Sequence, residues 1–154
     1  MQILIQNRQR KYPLNERQVR RWVRDILKMQ GEEEVEIGLA FVNNRTIRKY
    51  NRDYRGKDTP TDVLSFPMRN DGAEDFLPLL GDIMISIEKA YEEAHLFYHG
   101  KSDHLLFLLI HGILHLLGYD HEESRNEEAR MKRRERKIFE KIYVGRKNVP
   151  KSSP

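Results

Sequence analysis

The sequence lacks cysteine and lacks any long apolar run. Its 154 residues include no cysteine, which excludes disulfides, thiolate zinc sites and cysteine nucleophiles. No apolar stretch approaches the roughly 18 residues that a membrane span needs. The first six residues are too short and too polar for a signal peptide. We therefore expect a soluble, cytoplasmic protein that does not bind a membrane.

Charge is abundant and unevenly distributed. Charged residues make up 34% of the chain against 38% hydrophobic residues, with a net charge of +4. Residues 1–57 carry +7, residues 58–121 carry -8 and residues 122–154 carry +5. An acidic centre between basic flanks is typical of a metal site within a surface that attracts polyanions. Ordinary solvated charge is the alternative, and composition does not decide between them.

Hydrophobic periodicity predicts one α+β domain. Apolar spacing indicates strands over residues 2–7, 34–42, 62–66 and 79–86, and helices over residues 15–29, 43–54, 87–99, 102–117 and 124–143. These elements are interspersed, so we expect a small mixed sheet of about four strands packed with about five helices. Trp22 falls on an apolar helical stripe and is expected in the core. The domain is predicted over residues 1–145, followed by a basic tail over residues 146–154.

The segment from 111 to 121, HGILHLLGYDH, carries the chemistry. His111 and His115 are four residues apart on a predicted helix, which places their Cβ atoms roughly 6 Å apart on one face. Gly118 can end the helix with a positive φ and bring His121 round to the same ion. Three neutral histidines with an open fourth position describe a catalytic zinc site. The alternative is that these histidines are scattered structural residues.

The same segment differs from a protease motif at one informative position. It matches the spacing of the metzincin proteases, H-E-x-x-H-x-x-G-x-x-H, except that Gly112 stands in place of the glutamate. That glutamate is the usual general base for peptide hydrolysis, and no other residue here clearly replaces it. The pattern therefore indicates a zincin-like metal-site helix while making a metalloprotease the less favoured alternative.

Three motifs together resemble a known family. The histidine segment is joined by NRDYR at 51–55 with PTDVLSFP at 60–67, and by GDI at 81–83, in that order along the chain. This pattern is similar to the YbeY family of bacterial and organellar endoribonucleases, over residues 1 to about 145. The resemblance implies a metal-dependent hydrolase specific for single-stranded RNA, with the three histidines as ligands. It also implies ribosomal RNA and the small ribosomal subunit as partners, in maturation of the small-subunit rRNA 3′ end and in ribosome quality control.

Several further residues are candidates around the metal. By the resemblance, Arg55 matches an arginine associated with activity, and a guanidinium there can clamp a phosphate; we therefore expect Arg55 and His115 to be catalytic. Asp62 and Asp82 lie at strand edges, where each can orient a ligand histidine or cap a turn. Asp120 is a further candidate for orienting a ligand, although shaping the turn is the favoured role. The general base is not identified.

Other histidines and the basic segments are interpreted more conservatively. His104 shares the helical face of His111 and is expected to line the pocket without binding metal, while His95 and His99 are expected to be exposed. Arginines and lysines before residue 25 are dense enough to attract RNA phosphates. The stretch 130–137 is a solvated helix face or part of an RNA path. Zinc is the expected cofactor, although other transition metals also bind imidazole ligands. No DNA partner is expected. A ribosome-assembly factor with a structural metal is the main alternative function.

Overall fold

The elements alternate between strands and helices along the chain. A computed structural model describes residues 1–68, 78–119 and 124–147. Its elements are β1 (Gln2–Asn7), α1 (Glu16–Met29), β2 (Glu36–Val42), α2 (Asn44–Arg55), β3 (Val63–Pro67), β4 (Leu79–Ser86), α3 (Ile87–Glu93), a 3-10 turn (Ala94–Phe97), α4 (Lys101–Leu116) and α5 (Arg125–Lys147). Helices α1 and α2 begin after asparagine caps, since Asn15 and Asn43 each accept a hydrogen bond from a backbone N–H of the first turn.

The four strands form one mixed sheet in the order β1-β2-β4-β3. Strands β1, β2 and β4 are parallel, and β3 runs antiparallel to β4 at one edge. Parallel neighbours need a crossover connection, which α1 supplies between β1 and β2. The expected α+β fold, with a four-stranded mixed sheet and five α-helices in the described residues, is confirmed.

Two predicted boundaries around α4 were wrong. The helix expected over residues 87–99 ends at Glu93 and continues as a 3-10 turn, which ends where Tyr98 adopts a left-handed conformation with φ of 58°. The helix expected over residues 102–117 spans Lys101–Leu116 instead, and Gly100 occupies the cap position with no side-chain hydrogen bond.

The remaining boundaries differ by a few residues. The strand expected over residues 62–66 spans Val63–Pro67, and a strand at the sheet edge tolerates the proline. No helix or strand is predicted over residues 70–78, and residues 70–77 lie outside the described residues. The domain boundary at residue 145 stays a prediction.

Helix α4 lies at the centre of the core. It packs on the sheet face formed by Ile37, Leu39, Phe41, Ile83 and Ile85 and is flanked by α1 and α5. Trp22 is 3% exposed in this core, as predicted. Helix α2 packs on the opposite face of the sheet, where Ile47 and Tyr50 contact Val42, Leu64 and Met84. The sheet therefore separates the histidine-bearing helix from α2.

Candidate metal and active site

The structure brings His111 and His115 together on α4. Their Nε2 atoms lie 3.1 Å apart, and their ring centroids are 4.6 Å apart with an interplanar angle of 72°. Both side chains are partly exposed, whereas most of α4 is buried. Two ring nitrogens therefore converge on one point at the protein surface, as the spacing of four residues predicts.

This spacing of the two nitrogens suits a metal ion. Zinc binds imidazole nitrogen at about 2.0–2.1 Å with tetrahedral geometry, so two ligand nitrogens on one zinc ion lie about 3.3 Å apart. The observed Nε2–Nε2 separation of 3.1 Å is close to that value. The donor set and its geometry thus fit a transition-metal ion without a change of rotamer. His121 and Asp120, also expected at this site, lie outside the described residues.

Glu135 of α5 orients His111 from behind. The Nδ1 atom of His111 donates to Oε1 of Glu135 at 2.6 Å, and the Glu135 side chain is only 9% exposed. A carboxylate on Nδ1 fixes the tautomer that leaves the Nε2 lone pair free for a metal and makes the ring a better donor. Glu135 therefore holds the His111 ring in an orientation and tautomer suited to metal binding.

Sequence reasoning missed Glu135, although a signal was present. The residue lies between Met131 and Ile138, which are both buried, at a spacing of four and then three residues. A carboxylate on such an apolar stripe must find a buried partner, since burying an unpaired charge is costly. Both interpretations of the stretch 130–137, a solvated helix face and part of an RNA path, concern its basic residues and leave Glu135 out.

Gly112 has a packing role that bears on the protease alternative. A Cβ atom at this position would lie 3.1 Å from two carbons of Ile83 on β4, so the helix approaches the strand closely there. Ser65 of β3 fixes the same point by donating to the Gly112 carbonyl at 3.1 Å. A Cβ atom at position 112 would require the Ile83 side chain to shift by a few tenths of an ångström, so glycine suits this close approach, and the glutamate of the protease motif is absent.

The two aspartates expected to orient the ligands are placed differently. Asp82 lies on the sheet face opposite α4, with its Oδ1 atom over Gly38, because strand residues alternate and Ile83 faces α4. The expectation that Asp82 orients His111 or His115 is therefore corrected. Asp62 lines a cavity of about 250 Å³ together with His111 and Glu135. Its Oδ1 atom accepts from the Val63 N–H at 2.7 Å, so Asp62 anchors the start of β3.

Arg55 is the last residue of α2 and is exposed. None of the contacts seen among the described residues joins Arg55 to His111 or His115. The loop that follows Arg55 is held in place by Asn51, which donates to the Thr59 carbonyl at 2.8 Å. Arg48 also pairs with Asp58 at 2.9 Å, and this hydrogen bond lowers the pKa of Asp58. The loop leads from Arg55 to Asp62, at the cavity that contains His111.

His99 is more buried than expected. It stacks on Phe139 at 5.3 Å, and its Nδ1 atom lies 3.3 Å from Nδ1 of His104. His104 is fully buried, and burial, with a smaller contribution from His99, lowers the pKa of His104. The expectation that His99 is exposed was wrong because the chain turns back after the 3-10 segment; His95 is exposed as expected.

Two arginines in the basic segments considered for RNA binding have structural roles. Arg20 donates to the Ile3 carbonyl at 2.6 Å. Arg134 donates to Gln30 Oε1 at 2.6 Å and to the Met29 carbonyl at 3.0 Å, which fixes α5 against the end of α1. By contrast, Arg17, Arg21 and Arg24 are exposed on α1 and are available to a polyanion.

Comparison with known proteins identifies the family. The family profile described as Endoribonuclease YbeY matches residues 4–143. The chain belongs to this family. It is 42% identical over 147 residues to the endoribonuclease YbeY of Geobacter sulfurreducens, covering 94% of this chain and 98% of that protein. It is also 39% identical over 160 residues to that of Caldanaerobacter subterraneus, covering 95% of this chain and all of that protein.

A solved structure supports the YbeY-family fold. The solution structure of TM1509 from Thermotoga maritima matches with a TM-score of 0.66 at 28% identity, covering 99% of this chain and 97% of that chain. The expected family and enzyme class, an endoribonuclease, are confirmed, and nothing in the comparisons favours an assembly factor or a protease. Within the described parts of the chain, no helix combines the length and apolarity that crossing a bilayer takes.

Proposed function

We propose that this chain is a zinc-dependent, single-strand-specific endoribonuclease of the cytoplasm that acts on ribosomal RNA. Its substrate would be the 3′ end of small-subunit rRNA during maturation and ribosome quality control, with the small ribosomal subunit as partner. The observation that carries the proposal is the convergence of the Nε2 atoms of His111 and His115 at 3.1 Å, with Glu135 on the far side of His111. Family membership supports the reaction class.

The residues that would hold the metal are His111, His115 and His121. A divalent ion bound there would polarise a phosphoryl oxygen and activate a water molecule or hydroxyl as nucleophile. The chain's own part is to present two neutral imidazoles in a fixed orientation. Glu135 achieves this for His111 by keeping the proton on Nδ1, and the packing of Gly112 on Ile83 holds the helix that carries both rings.

We propose that Arg55 binds the phosphate next to the scissile bond. Its guanidinium can donate two parallel hydrogen bonds to phosphate oxygens and stabilise negative charge as it develops. Helix α2 and the loop fixed by Asn51 and Arg48 provide a rigid support for it. The exposed arginines of α1 would add attraction for the RNA backbone that does not depend on sequence.

Metal-stripped protein should be incubated with four substrates, with and without added zinc. These are a single-stranded rRNA fragment, the same sequence as a duplex, single-stranded DNA and an unstructured protein. We expect zinc-dependent cutting of the single-stranded RNA alone. Zinc-dependent cleavage of the protein substrate would support the protease alternative instead. RNA binding without any cleavage would favour the assembly factor.

The role of Arg55 can be tested with a matched pair of variants. Arg55→Ala should lower cleavage by about 100-fold, within the range seen when a group that stabilises transition-state charge is removed. Arg52→Ala removes an exposed arginine one turn earlier on the same helix, where it pairs with Asp53, and should leave cleavage within about twofold of wild type. Equal activity in both variants would remove Arg55 from the mechanism.

A further inference from the structure

A second group of metal-ligating side chains lies beyond the histidine pair. In the described residues, Asp62, Glu93 and His104 each offer one ligand atom, and these three atoms lie within 4.8 Å of one another. They come from the start of β3, the end of α3 and the first turn of α4. His104 precedes His111 by seven residues, or about 10 Å along a helix. This separation is too large for both groups to share a pair of bridged ions, which lie about 4 Å apart.

His104 has a buried nitrogen without a partner. Its side chain is fully buried, and among the described residues the buried side-chain polar atoms without a hydrogen bond are His104 Nε2 and Asn51 Oδ1. Leaving a buried polar atom unpaired costs roughly 1–3 kcal/mol, so such an atom needs an explanation. Because Nδ1 of His104 contacts Nδ1 of His99 at 3.3 Å, Nε2 is the nitrogen that is available to a ligand in this cluster.

The two carboxylates beside this nitrogen also call for a cation. Burial, followed by the charge of Asp62, raises the pKa of Glu93. Lys89 Nζ lies 3.5 Å from Oε1 of Glu93, and its positive charge partly offsets the increase in the pKa of Glu93. Asp62 is anchored by the Val63 N–H at 2.7 Å and by Thr61 at 3.4 Å. An ion between the oxygens and Nε2 would neutralise the carboxylates and satisfy the buried nitrogen.

We propose that Asp62, Glu93 and His104 form a second divalent-cation site, separate from the His111–His115 pair. One imidazole and two carboxylates are a donor set suited to zinc or another first-row transition metal. His99 acts as a positioning residue: when its Nδ1 accepts a hydrogen bond from the Nδ1–H of His104, the Nε2 lone pair of His104 is directed to the ion. The site would fasten β3, α3 and α4 together at the end of the loop from Arg55.

Zinc titration of the metal-stripped full chain by calorimetry tests this proposal. The variants are Glu93→Gln and His104→Phe, with His95→Gln as a control that removes an exposed histidine nearby. Phenylalanine suits position 104 because the His104 ring that it replaces already stacks on Phe97, with ring centroids 4.9 Å apart. Wild type and His95→Gln should bind one more equivalent of zinc at micromolar concentration than Glu93→Gln and His104→Phe. Circular dichroism would verify the fold of each variant. If His104→Phe does not fold, Glu93→Gln still tests the site, because the Glu93 side chain is partly exposed.

Equal zinc stoichiometry and affinity in wild type and Glu93→Gln would overturn the second site. A His115→Ala variant separates this outcome from failure of the proposed function. This variant should lose the zinc equivalent bound at the His111–His115 pair and keep the equivalent that depends on Glu93. If it loses every bound zinc, no second site exists. If it keeps the wild-type stoichiometry while Glu93→Gln loses one equivalent, the second site is supported and the histidine site of the proposed function fails.

Discussion

Replacing Glu135 with alanine should weaken metal binding at the histidine pair without unfolding the protein. The bond from His111 Nδ1 to Glu135 is 2.6 Å long, and the carboxylate is 9% exposed. A charge-assisted hydrogen bond of this kind contributes about 1.5–3 kcal/mol. Removing an orienting carboxylate typically costs 10–100-fold in metal affinity, or about 1.4–2.7 kcal/mol, so the two estimates agree. Glu135→Gln keeps a hydrogen-bond acceptor and should lose about tenfold or less.

The measurement is the zinc concentration that restores half-maximal RNA cleavage to metal-stripped protein, which reports on the catalytic site alone. Glu135→Ala should need about 10–100 times more zinc than wild type, with Glu135→Gln between them. Glu140→Gln, an exposed residue on the same helix, is the matched control and should behave as wild type. If Glu135→Ala needs no more zinc than Glu140→Gln, Glu135 does not prepare His111 as a ligand.

Two predictions concern stability, measured by urea unfolding. Gly81→Ala should lower the free energy of unfolding by about 3 kcal/mol, because φ is +139° and the added Cβ would lie against the Phe66 carbonyl. The control Gly31→Ala, at φ +71° with open space around it, should lower it by about 1 kcal/mol. Equal losses in the two variants would refute the steric argument. Arg134→Ala should cost about 1–2 kcal/mol by removing two hydrogen bonds to the end of α1. The exposed neighbour variant Arg133→Ala should stay within about 0.5 kcal/mol of wild type, and a similar loss in both would contradict the role of those bonds.

Local patterns accounted for most of the fold. The strands β1 and β4 match their predicted bounds because each is a short apolar run with clear ends. The convergence of His111 and His115 was predictable because a spacing of four residues on a helix fixes their proximity. The placement of Asp82 away from α4 was also within reach, since Ile83 and Ile85 face the core and strand residues alternate.

The parts that sequence reasoning missed depend on tertiary packing. Glu135 meets His111 across 24 residues, and no local spacing connects them. His99 is partly buried just after Tyr98, whose left-handed conformation propensity does not predict for a tyrosine. The cluster of Asp62, Glu93 and His104 joins three separate elements. Each case requires knowing which helices and strands are neighbours.

The most direct test of the proposed function compares wild type with His115→Ala on a single-stranded rRNA fragment. The two proteins would be purified in parallel, with metal content, circular dichroism and RNA binding measured alongside cleavage. Loss of cutting with the fold and RNA binding retained is the predicted result, because the variant removes one of the two converging Nε2 atoms that we propose as metal ligands. If both proteins cut the RNA at the same rate, the histidine pair is not the catalytic metal site.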